Sequence, residues 1–329
     1  MTAPVIWYMT TGQAGFRTQA RGLASRLGPD ARELIVDIKA PWRYLPAALN
    51  PFALSVLARS SDRPAPPWPD LLISCSRRAA VVSIAVRRAS RGRTLTVHVQ
   101  NPLVDPAAFD LVVAMAHDGL SGSNVISVPT ALHDVTPERL AQAARAWRDR
   151  LTRPGRPLVG VTLGGANRNQ PFTGEMAQAL IEGLARLRRE TGAGLAITPS
   201  RRTPDDVKAA FAARFADDPD VFLWDMQGDN PYYGILALAD RLVATSDSVS
   251  MISEALATGH PVEVFGPDGG ERHARFLRGL LDQGLVRRFT GDPAPGPSLG
   301  AIDATETAAA AVRRMLEARS LYAPTGSAG

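Results

Sequence analysis

Short apolar runs rich in Val, Ile and Leu recur along the chain, alternating with stretches in which apolar residues return every three or four positions. In the first half this pattern predicts strands at 4–10 (PVIWYMT), 33–38 (ELIVDI), 70–76 (DLLISCS), 94–100 (TLTVHVQ), 110–116 (DLVVAMA) and 124–128 (NVISV). Helices are expected at 16–27, 43–60, 77–91 and 137–151. The second half repeats the rhythm, with strands at 157–164, 194–200, 221–226, 241–245 and 261–265. Its helices are expected at 173–191, 204–216, 231–239, 248–258, 272–283 and 304–319. Such β/α alternation implies parallel sheets covered by helices on both faces. The expected fold is therefore α/β, with two Rossmann-like, doubly wound parallel-sheet domains and a cleft between them. The stretch TRPGRP, 152–157, interrupts the rhythm as a linker would, so the domains are placed at 1–152 and 153–320. The small, polar end, 321–329, reads as a disordered tail.

Composition changes this picture little. A chain of 329 residues with 45% hydrophobic and 21% charged positions suits a globular protein of two domains. The net charge of +5 invites a nucleic-acid reading. The cations are nearly all Arg, however, scattered and without interleaved aromatics, and Lys39 and Lys208 are the only lysines. No specific nucleic acid is expected. An anionic small molecule is, and a protein partner or a peripheral membrane contact stays open. Cys75 is the single cysteine, which permits no internal disulfide and points to a reducing compartment. The start lacks a basic, apolar leader, and no run approaches the ~20 apolar residues of a membrane span. The expectation is cytoplasmic.

Ligands of doubly wound sheets bind outside the carboxyl ends of the strands, so the strand-to-helix turns are where chemistry is sought. The first turn holds Gly12 and Gly15, a G-x-x-G without the third glycine of a dinucleotide motif or the lysine of a P-loop. A tight turn explains it as well as a ligand does; Arg17 and Gln19 follow on the helix. In the second domain Gly164 and Gly165 let a backbone approach closely, and Asn167 and Arg168 follow. Ser200, Arg201 and Arg202 close the next strand. Thr203 and Pro204 read there as cap and first helical residue, but capping leaves the paired guanidinium groups unexplained. Asn230-Pro231 opens a helix in which Tyr232 or Tyr233 stacks on a base or packs.

The richest turn is TSDSVSMISEALATG, 245–259. Ser246, Asp247 and Ser248 are all competent caps, more than one helix start needs. Asp247, Ser250 and Glu254 share one helical face, and Val249, Ile252 and Leu256 take the other. Glu254 lies too far along to close a capping box. A carboxylate there suits the two hydroxyls of a ribose whose diphosphate rests on the helix N-terminus. In the first domain His98, Gln100, His117 and Asp118 fall at strand ends on one predicted edge, with His133 beyond, a set suggesting acid–base work. No metal-ligand spacing and no G-x-S-x-G elbow occurs.

In order, GQAGFRTQ, SCSRRAA, VHVQNP, HDGLSGSNV, ALHDVTPERL, SRRTP, DNPYYGILALAD and TSDSVSMISEALATGHPV resemble the mitochondrial-fission (elongated-mitochondria) family across residues 4 to 320. Bacterial members carry the label of nucleoside-diphosphate-sugar epimerase, and the layout is similar to GT-B glycosyltransferases. The resemblance implies that Ser250 and Glu254 match the S-x-x-x-E-A pattern that contacts diphosphate and ribose. Gly164, Gly165 and the 248–250 helix start would hold diphosphate, and Arg201 or Arg202 would neutralise it. Gln100, His98 and His117 would face acceptor or sugar, in a metal-independent transfer that requires no cofactor. Plant members act as adaptors recruiting a dynamin-like fission protein, so a non-catalytic adaptor is the alternative. The chain departs from the family at Phe16, where members carry His or Asn, and a phenyl ring is no base. Short-chain epimerase chemistry is excluded: it needs Lys four residues after Tyr. Tyr8, Tyr44, Tyr232, Tyr233 and Tyr322 are followed at that offset by Gly12, Ala48, Leu236, Ala237 and Gly326.

Overall fold

A computed structural model describes residues 3–166 and 171–319. Asn167 and the tail expected at 321–329 lie outside the described residues. Strands β1 (Ile6–Thr10), β2 (Arg32–Ile35), β3 (Leu71–Cys75), β4 (Leu95–Val99), β5 (Leu111–Met115) and β6 (Val125–Val128) form one sheet. Its order is β2-β1-β3-β4-β5-β6, every pair parallel. Helices α1 (Ala14–Ser25) and α2 (Arg77–Ala89) belong to it. Strands β1, β3, β4 and β5 are buried at every position, which is why they read as largely apolar runs.

Helix α3 (Pro137–Leu151) leads into the second sheet, of β7 (Leu158–Leu163), β8 (Gly194–Pro199), β9 (Val221–Leu223), β10 (Arg241–Thr245), β11 (Val262–Phe265) and β12 (Arg287–Arg288). Its order is β12-β11-β10-β7-β8-β9, again wholly parallel. Its helices are α4 (Gly174–Thr191), α5 (Asp205–Phe215), α6 (Tyr232–Leu238), α7 (Val249–Leu256) and α8 (Glu271–Asp282), and α9 (Ala304–Ala318) follows. From β7 the chain winds outward to β8 and β9, then returns to the other side for β10, β11 and β12. The crevice created by that reversal lies at the carboxyl ends of β7 and β10. In the first sheet the corresponding reversal lies between β1 and β3.

Two expectations change. The stretch 43–60 holds no α-helix. Pro41, Pro46 and Pro51 each lack the N–H an α-helix needs, and the chain makes three short 3-10 turns, Trp42–Tyr44, Ala47–Leu49 and Leu54–Val56. The compact units are residues 1–134 with 303–329, and residues 135–302. Sequence punctuation puts the boundary at 152. It moves because Trp147 and Leu151 of α3 pack with Leu158, Ile235 and Leu236 of the second unit. Likewise Ala308, Val312 and Leu316 of α9 pack with Leu23 and Leu27 in the first. The TRPGRP stretch is a turn inside the second unit, its Gly155 at φ +70°. Strand β12, only two residues long, left no periodic signal.

Candidate functional site

At the carboxyl edge of the second sheet, four turns are tied into one network. The N–H of Gly164 donates to Thr245 Oγ1 at 2.7 Å, and that of Gly165 to Asp247 Oδ2 at 2.8 Å. Thr245 Oγ1 in turn donates to Asp247 Oδ1 at 2.7 Å. Glycine is required at both positions: a Cβ on Gly164 would sit 2.3 Å from the Asp247 carboxylate, and one on Gly165 would sit 1.9 Å from the Arg202 carbonyl oxygen. The turn after β8 joins through Ser200 Oγ, which donates to the Gly164 carbonyl at 2.9 Å. Thr203 Oγ1 donates to the Leu163 carbonyl at 3.0 Å. The exit of β11 joins through Ser246 Oγ, which donates to the Pro267 carbonyl at 2.7 Å.

This network corrects two expectations. The Gly164 and Gly165 amides do not face an empty cradle, because Thr245 and Asp247 already take them. Thr203 does not cap α5; it is buried and holds the end of β7. The N-cap position falls on Pro204, without a side-chain bond. Asp247, Thr245 and Thr203 are what sequence reasoning undervalued. Their one visible signal was a surplus of hydroxyl and carboxylate groups at strand ends.

Helix α7 begins beside this knot. Ser248 caps it, its hydroxyl accepting the Met251 N–H at 3.4 Å. The N–H groups of Val249 and Ser250 lie in the first turn, where a helix offers no acceptor. Ile252 and Leu256 enter the core as expected. Ser250 is half-buried, and Glu254, on the polar face, is 8% exposed. The Glu254 carboxylate accepts a hydrogen bond from the Tyr232 hydroxyl. Tyr232 stands edge-on to Tyr233 at 5.4 Å, and the Arg139 guanidinium lies 3.7 Å above the Tyr233 ring. Asn230 Oδ1 accepts the Tyr232 N–H at 2.9 Å and so starts α6; that is a structural task. Arg202 is paired with Asp247 at 3.3 Å. Arg201 is exposed and makes no ion pair among the described residues.

At the carboxyl edge of the first sheet, Gly12 takes φ +87° and its N–H bonds Thr10 Oγ1 at 3.1 Å. Gly15 lies in α1 with open space where a Cβ would be. Gln19 and Gln100 meet, Nε2 of Gln100 donating to Oε1 of Gln19 at 3.2 Å. Ser76 and Gln100, on the ends of neighbouring strands, hold φ of 103° and 80°. Such left-handed conformations in non-glycine residues cluster at functional positions. Arg17 does not join them; it pairs with Glu33 at 2.7 Å.

The histidines divide. His98 is a core residue: fully buried, 5.1 Å from the Phe109 ring, with Nδ1 2.8 Å from Ser74 Oγ. Burial lowers its pKa to about 3, so it stays neutral and reaches no ligand. His98 leaves the acid–base set. His133 is buried against the start of α9, its N–H bonded to Thr305 Oγ1 at 2.8 Å. His117 and Asp118 form the short turn after β5, His117 Nε2 lying 3.7 Å from Asp118 Oδ1. Burial shifts the Cys75 thiol the opposite way to His98, raising its pKa and keeping it protonated. Among the described residues no group of three or more His, Cys, Asp and Glu is arranged to hold a metal ion.

Against known proteins, the family model described as Mitochondrial fission ELM1 matches residues 14–316. The chain is 32% identical over 277 residues to the mitochondrial fission protein ELM1 of Arabidopsis thaliana. That match covers 76% of this chain and 65% of the plant protein, slightly under two thirds of the latter's length. Among solved structures, the UDP-GlcNAc 2-epimerase of Methanocaldococcus jannaschii superposes with a TM-score of 0.53 at 10% identity, covering 95% of this chain and 100% of that one. The MurG structure from Acinetobacter baumannii gives 0.52 at 13% identity, with 95% and 100% covered. Similarity at this level speaks for the fold, two GT-B-like α/β units.

Proposed function

The chain belongs to the mitochondrial fission ELM1 family, and from that premise and the second unit's geometry we propose that it binds a nucleoside-diphosphate sugar. The observation that carries the reading is the crevice of the second sheet. There the first turn of α7 presents N–H groups and the Ser248 and Ser250 hydroxyls, with the Glu254 carboxylate one and a half turns further on. The diphosphate would rest on that helix start, where backbone donors and the helix dipole favour an anion. Arg201 would supply the counter-charge, and Glu254 the acceptor for ribose hydroxyls, joining or displacing the Tyr232 phenol. Asp247 would not touch the ligand; it fixes the turn that presents the helix. The fold shared with a UDP-GlcNAc 2-epimerase supports uridine diphosphate as the first probe.

Catalysis finds less support than binding. Phe16 replaces the His or Asn of the family it resembles and His98 is buried; His117, the remaining acid–base candidate of the first unit, has a side chain only 6% exposed beside Asp118. That shortfall, with the fission protein as relative, favours a second reading: an adaptor that keeps the fold and recruits a protein. Isothermal titration with UDP, ADP and GDP separates the two. Saturable binding of one of them is the expected result, and absence of heat from all three would leave the adaptor.

A further inference from the structure

The loop between β2 and β3 has no place in the nucleotide reading, yet it is built to a plan. Its neck is closed by a bridge between Ile38 and Leu57, with Lys39 N–H bonded to the Val56 carbonyl at 2.9 Å and Ala58 N–H to the Asp37 carbonyl at 3.0 Å. Inside that neck Ala47, Val56 and Leu57 are buried, and Trp42, Phe52 and Leu54 pack on the same apolar cluster of β1, β3 and α2. The loop is therefore anchored. Asn50 Nδ2 braces it by donating to the Pro46 carbonyl at 3.2 Å.

From this anchored base two large side chains point to solvent. Tyr44 is 76% exposed and Leu49 is 63% exposed. Leu103, 59% exposed, follows β4 and adjoins Val104, which packs in the same cluster as Phe52. Tyr44 and Leu49 thus stand out from the loop and Leu103 from the stretch whose Val104 packs beside it; among the described residues the other large apolar side chain this unit leaves exposed is Val5. Within the loop itself the charge is one-sided as well. Between Lys39 and Arg59 the sequence carries Lys39, Arg43 and Arg59 and no Asp or Glu. Lys39 and Arg59 are exposed, and the Arg43 guanidinium lies 5.7 Å from the Tyr44 ring. The acids that flank the loop are Asp37, occupied by Arg78 at 2.9 Å and Arg43 at 3.5 Å, Asp62, which accepts the Ile35 N–H at 2.6 Å, and, beside Leu103, Asp105, which accepts the Ala107 N–H at 2.9 Å.

We propose that this loop is a membrane-contact surface: Tyr44, Leu49 and Leu103 enter the headgroup boundary of an anionic bilayer while Lys39, Arg43 and Arg59 meet its phosphates and carboxylates. A tyrosine with a wet hydroxyl and an apolar ring suits that boundary, and exposed leucines gain by leaving water there. The cations match the negative surface in sign. A bilayer is favoured over a peptide because the tip offers neither a strand edge nor a helix groove, the two features peptides read. Attachment of this kind is reversible and needs no spanning segment; among the described residues no helix is long and apolar enough to cross a membrane.

The test is sedimentation of the whole chain with vesicles of phosphatidylcholine alone, or with about one third phosphatidylserine, at low and high salt. The expected result is capture by the anionic vesicles, weakened at high salt and several-fold weaker in a Tyr44→Ser/Leu49→Ser variant. Lys39→Glu and Arg59→Glu should each lower the partition constant at least about fivefold, the worth of one cation near an anionic surface. These positions are exposed, so unchanged circular dichroism and melting would show the variants folded. Absence of capture, or capture that the folded variants retain in full, overturns the proposal. The outcome is independent of nucleotide binding.

Discussion

The carboxylate of Asp247 accepts the N–H of Gly165 at 2.8 Å, so the turns after β7 and β10 behave as one hydrogen-bonded piece. An acidic side chain occupies this turn, and its task is to brace the start of α7.

Removing that brace should be costly. Asp247→Ala leaves the Gly165 N–H without its acceptor in a part-buried setting, at a cost of about 1–3 kcal/mol. Asp247→Asn keeps one carbonyl oxygen and should lose less. Gly165→Ala should destabilise by a further route, since its methyl would collide with the Arg202 carbonyl. Urea unfolding followed by circular dichroism gives all three values, and an Asp247→Ala midpoint equal to that of the parent would refute the brace.

A second set of charges is structural. Glu263, fully buried on β11, accepts Arg241 Nε at 2.9 Å and also binds Arg287. Arg241 further donates to the carbonyls of Asp292 and Pro293 at 3.1 and 3.2 Å. Glu263→Ala strands the buried Arg241 guanidinium and should cost about 3–5 kcal/mol. Replacing Glu263 and Arg241 together by apolar residues of similar volume should recover much of that loss. Equal loss in single and double variants, measured by the same unfolding, would contradict the pairing.

His98 makes stability depend on pH. Its pKa is lowered to about 3 in the folded protein by burial, against 6.5 for the ordinary group. The unfolded chain therefore takes up the proton first. This contribution is whole above about pH 6.5 and is lost by about 1.4 kcal/mol per unit as pH falls towards 3. His98→Leu should flatten that part of the profile by one proton. Ser74 keeps an acceptor in the variant, the Val97 carbonyl at 3.3 Å. If the variant's stability falls with pH as steeply as the parent's, the histidine is not the group responsible.

Both sheets were legible from apolar runs because parallel strands buried on both faces carry few polar residues, as LVV in β5 and LVA in β10 illustrate. The loop at 41–57 misled because its leucines and alanines mimic a helical repeat, and the prolines that forbid a helix sit outside that period. The domain boundary misled for another reason: which sheet α3 packs against is decided by Trp147 meeting Gly234, a contact between residues far apart in sequence. At the site, sequence spacing set Ser250 and Glu254 on one face of α7; Ser250 is half-buried there, and Glu254 is buried against the Tyr232 hydroxyl. Spacing could not tell that Asp247 turns back onto Gly165, or that Tyr232 reaches Glu254. Those bonds depend on strand order. His98 shows the same limit, since a histidine in VHVQ reads alike whether it faces a ligand or a phenyl ring.

The most direct test of nucleotide binding compares UDP with its 2′,3′-dideoxy analogue in the parent and in Glu254→Ala, by thermal shift. At 100 times its dissociation constant a ligand should stabilise by ~2.7 kcal/mol. The account predicts that the parent favours UDP over the dideoxy analogue and that Glu254→Ala abolishes the preference. An undiminished preference for the ribose hydroxyls in Glu254→Ala, or no shift with either ligand in the parent, would contradict it.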